Sequence, residues 1–263
     1  EVLRDGERFT SSGYALSMGP VMCRTILQMD EPEHGRYRRL LQGAFSRKAL
    51  DRWERELVAP VVDGLIDRFA ARGSADLVSE LTFPFPVSVI AGMIGLPEEE
   101  LADFHRWAVE LISVSFNPGA GMEASQKLAG LFLRVLEARR REPRDDLMSV
   151  LALAEIDGTR LTDEEIVSFC RLLAPAGAET TYRSSSNLLC GLLNHPDQLE
   201  AVRADRSLVP QAIEEGLRWE APLTSILRIA TRDTEVCGVQ VPAGALVAVN
   251  LGSANRAETR RPD

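Results

Sequence analysis

The chain has 263 residues, 45% hydrophobic and 26% charged, with a formal net charge of −9 at pH 7. That length and apolar content suit one large globular unit, taken here as a single domain over 1–263, with a core of real size. The acidic balance excludes a general nucleic-acid surface, because phosphate contacts need a net basic face, and no uninterrupted apolar run reaches membrane-spanning length. The four cysteines, Cys23, Cys170, Cys190 and Cys237, are far apart and form no C-x-x-C pair. The expectation is a reduced, cytoplasmic setting with buried thiols. No signal-peptide pattern opens the chain.

In chain order, "EVLRDGERFTSS" reads as a short helix running into a loop, and residues 10–29 as an irregular stretch with three methionines. "DEPEHGRYRRLLQGAF" predicts a helix with Asp30 as its cap and Pro32 in its first turn. Its apolar stripe is Tyr37, Leu40, Leu41, Ala44 and Phe45. A second helix is expected over Leu50 to Ala71, stopped by Gly73. "PFPVSVIAGMIGLP" predicts a short buried helix, and "EEELADFHRWAVELIS" an amphipathic one broken by "NPGAG". Another runs from Met122 to Arg141. Thr162 and Glu165 form a capping box that opens a helix of about thirty residues ending at Asn194. Two shorter helices follow, near 197–204 and 208–220. From Thr224 the period changes to two, and Gly238 and Pro242–Gly244 punctuate a small β-hairpin system. The fold class is mainly α around a long central helix, with a small β part near the C-terminal end.

Three constellations carry candidate chemistry. Within the long helix, "APAGAETT" places Pro175, Gly177, Glu179 and Thr180 close together. Pro175 removes a backbone donor and predicts a bend, and Gly177 admits a close approach. A hydroxyl beside a carboxylate suits proton relay; the same small residues also suit tight packing on a neighbouring helix. In "EHGRYR", His34 and Arg38 share one helix face bordering the apolar stripe. Such a pair can clamp an acid group on a buried ligand, or be a solvated basic face. In "EEGLRW", Glu215 and Arg218 are spaced to pair. On spacing alone that is a surface ion pair opposite the apolar face of Val209, Ala212, Ile213, Gly216 and Leu217.

Taken together and in this order, "EHGRYR", "AGAETT", "EEGLR" and the Arg228 strand ahead of "GVQVPAG" resemble a bacterial cytochrome P450 across essentially the whole chain. The resemblance implies haem b (iron protoporphyrin IX) as cofactor. His34 and Arg38 would hold one haem propionate, with Arg228 holding a propionate from the other side. Ala176 and Gly177 would lie over the haem face where dioxygen binds, and Glu179 and Thr180 would deliver protons there. Glu215 and Arg218 would be a buried structural pair, which reverses the reading from spacing. The loop from Ser11 to Met29 and the helices around "NPGAG" would shape the substrate pocket. Pro175 is a departure, since many family members have an ordinary helix former there.

The implied activity is insertion of one oxygen atom from dioxygen into a small organic substrate, in the manner of secondary metabolism, with a ferredoxin-type electron donor and neither nucleic acid nor membrane as partner. The family's iron is ligated by a cysteine thiolate in a Phe- and Gly-rich loop. None of the four cysteines fits that pattern, so the axial cysteine is expected beyond Asp263 and the first strands and helix before Glu1. The chain thus reads as an internal fragment, itself inactive. A haem-free helical ligand-binding module derived from the same fold is the alternative.

Overall fold

The computed structural model describes residues 1–156 and 158–257. Residues 258–263, beyond which the axial cysteine is expected, lie outside the described residues. Thirteen α-helices are present among the described residues, and eight contribute buried residues to the core cluster. Two short helices, α1 (Tyr14–Ser17) and α2 (Gly19–Met22), lead to α3 (Glu33–Gln42). Then come α4 (Arg47–Trp53), α5 (Ala59–Ala70), α6 (Pro84–Ile94), α7 (Leu101–Ile112), α8 (Pro118–Arg141) and α9 (Leu147–Leu153). The long helix α10 spans Asp163–Asn194, followed by α11 (Pro196–Ala204), α12 (Val209–Trp219) and α13 (Leu251–Asn255). Among the described residues, no helix is long and apolar enough to cross a membrane.

The centre is α10, which packs against α6, α7 and α8. Ile90, Ala91 and Ile94 from α6 are buried in one cluster with Phe104, Trp107 and Leu111 from α7. Leu128, Leu131, Phe132 and Leu136 from α8, and Ile166, Val167, Phe169 and Leu172 from α10, complete it. These stripes recur every three to four residues, which is why the sequence folds them as helices facing one another. The capping box stands as expected: Glu165 N donates to Thr162 Oγ1 at 3.2 Å and Thr162 N to Glu165 Oε2 at 2.7 Å.

Two helix starts differ from expectation. "NPGAG" does separate α7 from the next helix, but α8 begins within it, at Pro118 rather than Met122, with Asn117 accepting from Ala120 N. Pro at that position loses no helical bond. At α3, Asp30 is not the cap. Glu31 Oε2 accepts from Gly35 N at 3.0 Å, and Asp30 turns back to an earlier strand.

The β part is a three-stranded antiparallel sheet ordered β1–β4–β7, formed by β1 (Phe9–Thr10), β4 (Ser225–Ala230) and β7 (Leu246–Asn250). Two hairpins accompany it, β2 (Glu155–Ile156) with β3 (Thr159–Arg160), and β5 (Thr234–Val236) with β6 (Val239–Val241). Phe9 pairs with Ala230 and Thr10 with Ile229, so the first strand joins the last part of the chain. The expectation of buried thiols holds for Cys170 alone; Cys23, Cys190 and Cys237 are exposed.

Candidate functional site

The middle of α10 is a continuous helix across Pro175. Thr180 Oγ1 donates to the Ala176 carbonyl at 2.6 Å, an ordinary contact one turn back. Ala176 is exposed and Thr180 half-buried, so both face an open side of the helix. Gly177 is different. A Cβ built there would stand 2.6 Å from Ile90 Cδ1 on α6. Close packing on Ile90 accounts for a glycine at this position.

Glu179 has a partner that spacing could have found. Arg183, one turn on, places Nε at 3.0 Å and Nη2 at 2.8 Å from Glu179 Oε1. The carboxylate is therefore tied along its own helix, toward solvent, rather than to the Thr180 hydroxyl.

Tyr37, Leu40 and Leu41 are buried, while Arg36, Arg38 and Arg39 are exposed. Tyr37 Oη donates to the Glu165 carbonyl at 2.9 Å, pinning α3 to the start of α10. Burial raises the Tyr37 phenol well above its usual value. His34 Nδ1 lies 3.1 Å from Glu31 Oε1. That contact holds the Glu31 carboxyl below the usual carboxylate range. Arg38 has no hydrogen bond or ion pair among the described residues.

Arg228 stands in the middle of β4, opposite Val247. Its Nη1 reaches only the neighbouring Leu227 carbonyl, at 2.8 Å, with no carboxylate among the described residues. Asp30 connects this strand with α3, a link the sequence reading missed. Its carboxylate accepts from Ser11 N at 2.9 Å and from the Thr10 hydroxyl, and β1 is hydrogen-bonded to β4. Thus the sheet carrying Arg228 and the helix carrying His34 and Arg38 are tethered within a few residues of each other.

Glu215 and Arg218 form a two-pronged pair, with Nε to Oε2 at 2.8 Å and Nη2 to Oε1 at 2.7 Å. The Arg218 side chain is 18% exposed and the Glu215 side chain 55%. In this structure the arginine is sheltered and the glutamate is open to solvent. Arg218 Nη1 also donates to the Asn255 carbonyl at 3.0 Å, linking α12 to α13. Beside the pair, a groove of about 390 Å³ runs between α10, α11 and α12, lined by Leu188, Leu192, Val202, Ala212 and Trp219.

Comparison with known proteins gives concordant results. The family model described as Cytochrome P450 matches residues 101–260. Cytochrome P450 107B1 of Saccharopolyspora erythraea is 37% identical over 262 residues, 99% of this chain and 63% of that protein. Cytochrome P450 monooxygenase PikC of Streptomyces venezuelae is 36% identical over 242 residues, 90% of this chain and 58% of that protein. The solved structure of cytochrome P450 CYP109Q5 from Chondromyces apiculatus is similar with a TM-score of 0.92 at 38% identity, covering 100% of this chain and 68% of that one. The chain thus spans 62% and 63% of the length of the first two curated relatives it matches.

Proposed function

The chain belongs to the cytochrome P450 family, and on that premise we propose that it forms the greater part of a haem b monooxygenase, inserting one oxygen atom from dioxygen into a small organic substrate. The observation that carries this reading is the open side of α10, where Ala176 is exposed and the Thr180 hydroxyl stands over its carbonyl. Haem supplies the oxidising chemistry when bound, and the protein supplies position and proton management.

The residues fit that cofactor. Arg38 and Arg228 are cations without a carboxylate among the described residues, suited to an acid group such as a propionate. His34 adds a third donor to that set, once its ring turns from Glu31. Ala176 offers the smallest side chain on the open side, leaving space for a flat group. Thr180 Oγ1 directs its own proton to the Ala176 carbonyl and has lone pairs free to accept a hydrogen bond from water. Rotation about χ1 then presents a proton to the open side. Glu179 Oε1 is held by Arg183 at a half-exposed position, where it takes up protons from solvent and passes them inward by swinging off that arginine.

The substrate would be walled by residues 11–29 and by the α7–α8 corner. Electrons would come from a ferredoxin-type donor, in the cytoplasm. The test is the absorption spectrum of the protein expressed from its whole reading frame, reduced and exposed to carbon monoxide. A Soret band shifted far to the red marks thiolate-ligated haem; absence of haem uptake, or a band without that shift, sinks the reading. Thr180→Ala separates its role from mere packing: reductant consumption continues, peroxide accumulates and product per reductant falls severalfold. Unchanged coupling removes Thr180 from the relay.

A further inference from the structure

The cations suited to an acid group stand on two elements far apart in sequence, His34 and Arg38 on α3 and Arg228 on β4. A clamp built on two elements works only when the distance between them is fixed. Residues 7–14 run along β4. Thr231 N donates to the Arg8 carbonyl at 2.9 Å, and Thr231 Oγ1 to the Glu7 carbonyl at 2.6 Å. Phe9 and Thr10 pair with Ala230 and Ile229. Past that two-residue strand, a Cβ on Gly13 would stand 2.8 Å from Ile229 Cδ1, and the Tyr14 hydroxyl accepts from Leu227 N at 3.3 Å. Arg228 thus lies between two residues that this segment holds.

Asp30 carries the connection on to α3. Its Oδ1 accepts from Ser11 N at 2.9 Å and its Oδ2 from the Thr10 hydroxyl. Thr10 Oγ1 in turn accepts from Ser12 N at 3.0 Å, so residues 10–12 gather around one half-buried carboxylate. The backbone of the same residue serves the helix: the Asp30 carbonyl accepts from His34 N at 2.9 Å. From Arg228 to His34 the path is therefore one peptide step to Ile229, a strand pairing to Thr10, one side-chain hydrogen bond to Asp30 and one helical hydrogen bond. Further along α3, Tyr37 is pinned separately to the Glu165 carbonyl. A strand of two residues is too short to fix its neighbours alone, and a carboxylate accepting two hydrogen bonds is a strong fastening.

We propose that Asp30 is a positioning residue: its carboxylate ties residues 10–11, and with them β4, to the start of α3, and so sets the span between Arg228 and the His34–Arg38 face. Two oxygens answer two donors, which is what an aspartate supplies and an asparagine does not. The consequence for an acid group held across that span rests on the haem reading above; the tie itself does not.

The test uses the haem-loaded protein from its whole reading frame and follows haem release to excess apomyoglobin. Loss of the tie in Asp30→Ala accelerates release about tenfold, and Arg228→Met does so by a similar factor. Asp30→Asn keeps one acceptor oxygen for the two donors and recovers part of the retention. Thr10→Val, which removes one donor, accelerates release about threefold. Added to Arg228→Met, Asp30→Ala changes release by less than about twofold, because a span with one side gone has nothing left to set. A merely structural aspartate would multiply the two effects. Release at the parent rate in either single variant, or multiplied effects in the double variant, overturns the role in the clamp. Amide hydrogen exchange reads the tie without haem: residues 7–14 exchange about tenfold faster in Asp30→Ala, while the α8 core peptide 128–136 is unmoved. No change at 7–14, or equal acceleration in both peptides, overturns the tie. Failure of the parent protein to take up haem sinks the monooxygenase reading and the clamp with it, and exchange still decides the tie. If Asp30→Ala does not fold, Thr10→Val and Asp30→Asn decide by the same readings.

Discussion

Gly177 is the position where two accounts of the central helix diverge most sharply, and a double-mutant cycle with Ile90 separates them. An alanine Cβ at Gly177 would meet Ile90 Cδ1 at 2.6 Å, and the next atom, Ile90 Cγ1, at 3.5 Å. Alanine in place of glycine inside a helix gains about 1 kcal/mol. Forcing an extra methyl into a packed site costs roughly 1–3 kcal/mol. The obstructing atom is the far end of a flexible side chain, so Gly177→Ala is expected to destabilise by about 0–2 kcal/mol net. Ile90 is buried, so Ile90→Val alone costs about 0.5–1.5 kcal/mol. In the double variant the close contact is gone and the propensity gain remains, which returns stability to near the parent value. The expected coupling is about 1–3 kcal/mol in favour of the pair. Urea unfolding of the four proteins, compared at equal m, measures it. If Gly177→Ala alone is stabilising by about 1 kcal/mol and coupling stays below about 0.5 kcal/mol, Ile90 does not fill that space and the packing account is wrong.

Three further outcomes are expected. Arg139 Nη2 donates to the Gly95 carbonyl at 2.6 Å and Nε to Asp146, whose other oxygen caps α9 at Ser149 N, 2.8 Å away. Asp146→Ala strands a buried guanidinium and should cost about 3–5 kcal/mol in urea unfolding; a loss under about 1 kcal/mol would show that the pair is not holding α8 to α9. Maleimide labelling of the native protein should modify Cys23, Cys190 and Cys237 and spare Cys170, whose thiol is pushed up to about 12 by burial, until the chain is unfolded; labelling of Cys170 at the native rate refutes its burial. His105, 3.3 Å from Ser88 Oγ, has its pKa held below the usual 6.5 by burial. Its neutral form is favoured in the folded state. Its contribution is therefore full above pH 6.5 and lost as pH falls below, where the unfolded chain takes up the proton first. Stability at pH 7.5 should exceed that at pH 5.5, and His105→Gln should narrow the gap.

The elements easiest to read from the sequence were those with long, one-sided apolar patterns. α6, α7 and α10 form as helices where the sequence expects them, and the α3 stripe buries Tyr37, Leu40, Leu41 and Ala44. What escaped is short or defined by a distant partner. β1 is two residues long and exists because Ile229 and Ala230 pair with it across the whole chain. α9 is seven residues with no polar face to give a period; its start is visible only in the Asp146 cap. "NPGAG" carries residues that end helices and residues that begin them. The Asn117 cap decided between the two, because an Asn followed at once by Pro satisfies one orphan donor and removes another.

The candidate site shows the same division, helix face by helix face. On α10, Arg171, Ala174 and Ala178 are buried, Gly177 meets α6, and Ala176 with Thr180 remains toward the open side. The sequence named four residues within six positions as one constellation, but a helix turns 100° per residue and sends neighbours to different partners. Glu179 went to Arg183 for that reason, and the i, i+4 spacing was the available signal. Burial of the Glu215–Arg218 pair depends instead on what packs beside α12. From Glu179 onward, Gly216 and Ala230 are the buried positions among the described residues, although Ile213, Leu217 and Trp219 are apolar. Periodicity assigns a face; covering that face is a tertiary event that no local spacing records. The motifs name candidates, while Asp30 and Ile90, neither of them in a motif, bear on where those residues stand: Asp30 ties β1 to the start of α3, and Ile90 packs on Gly177.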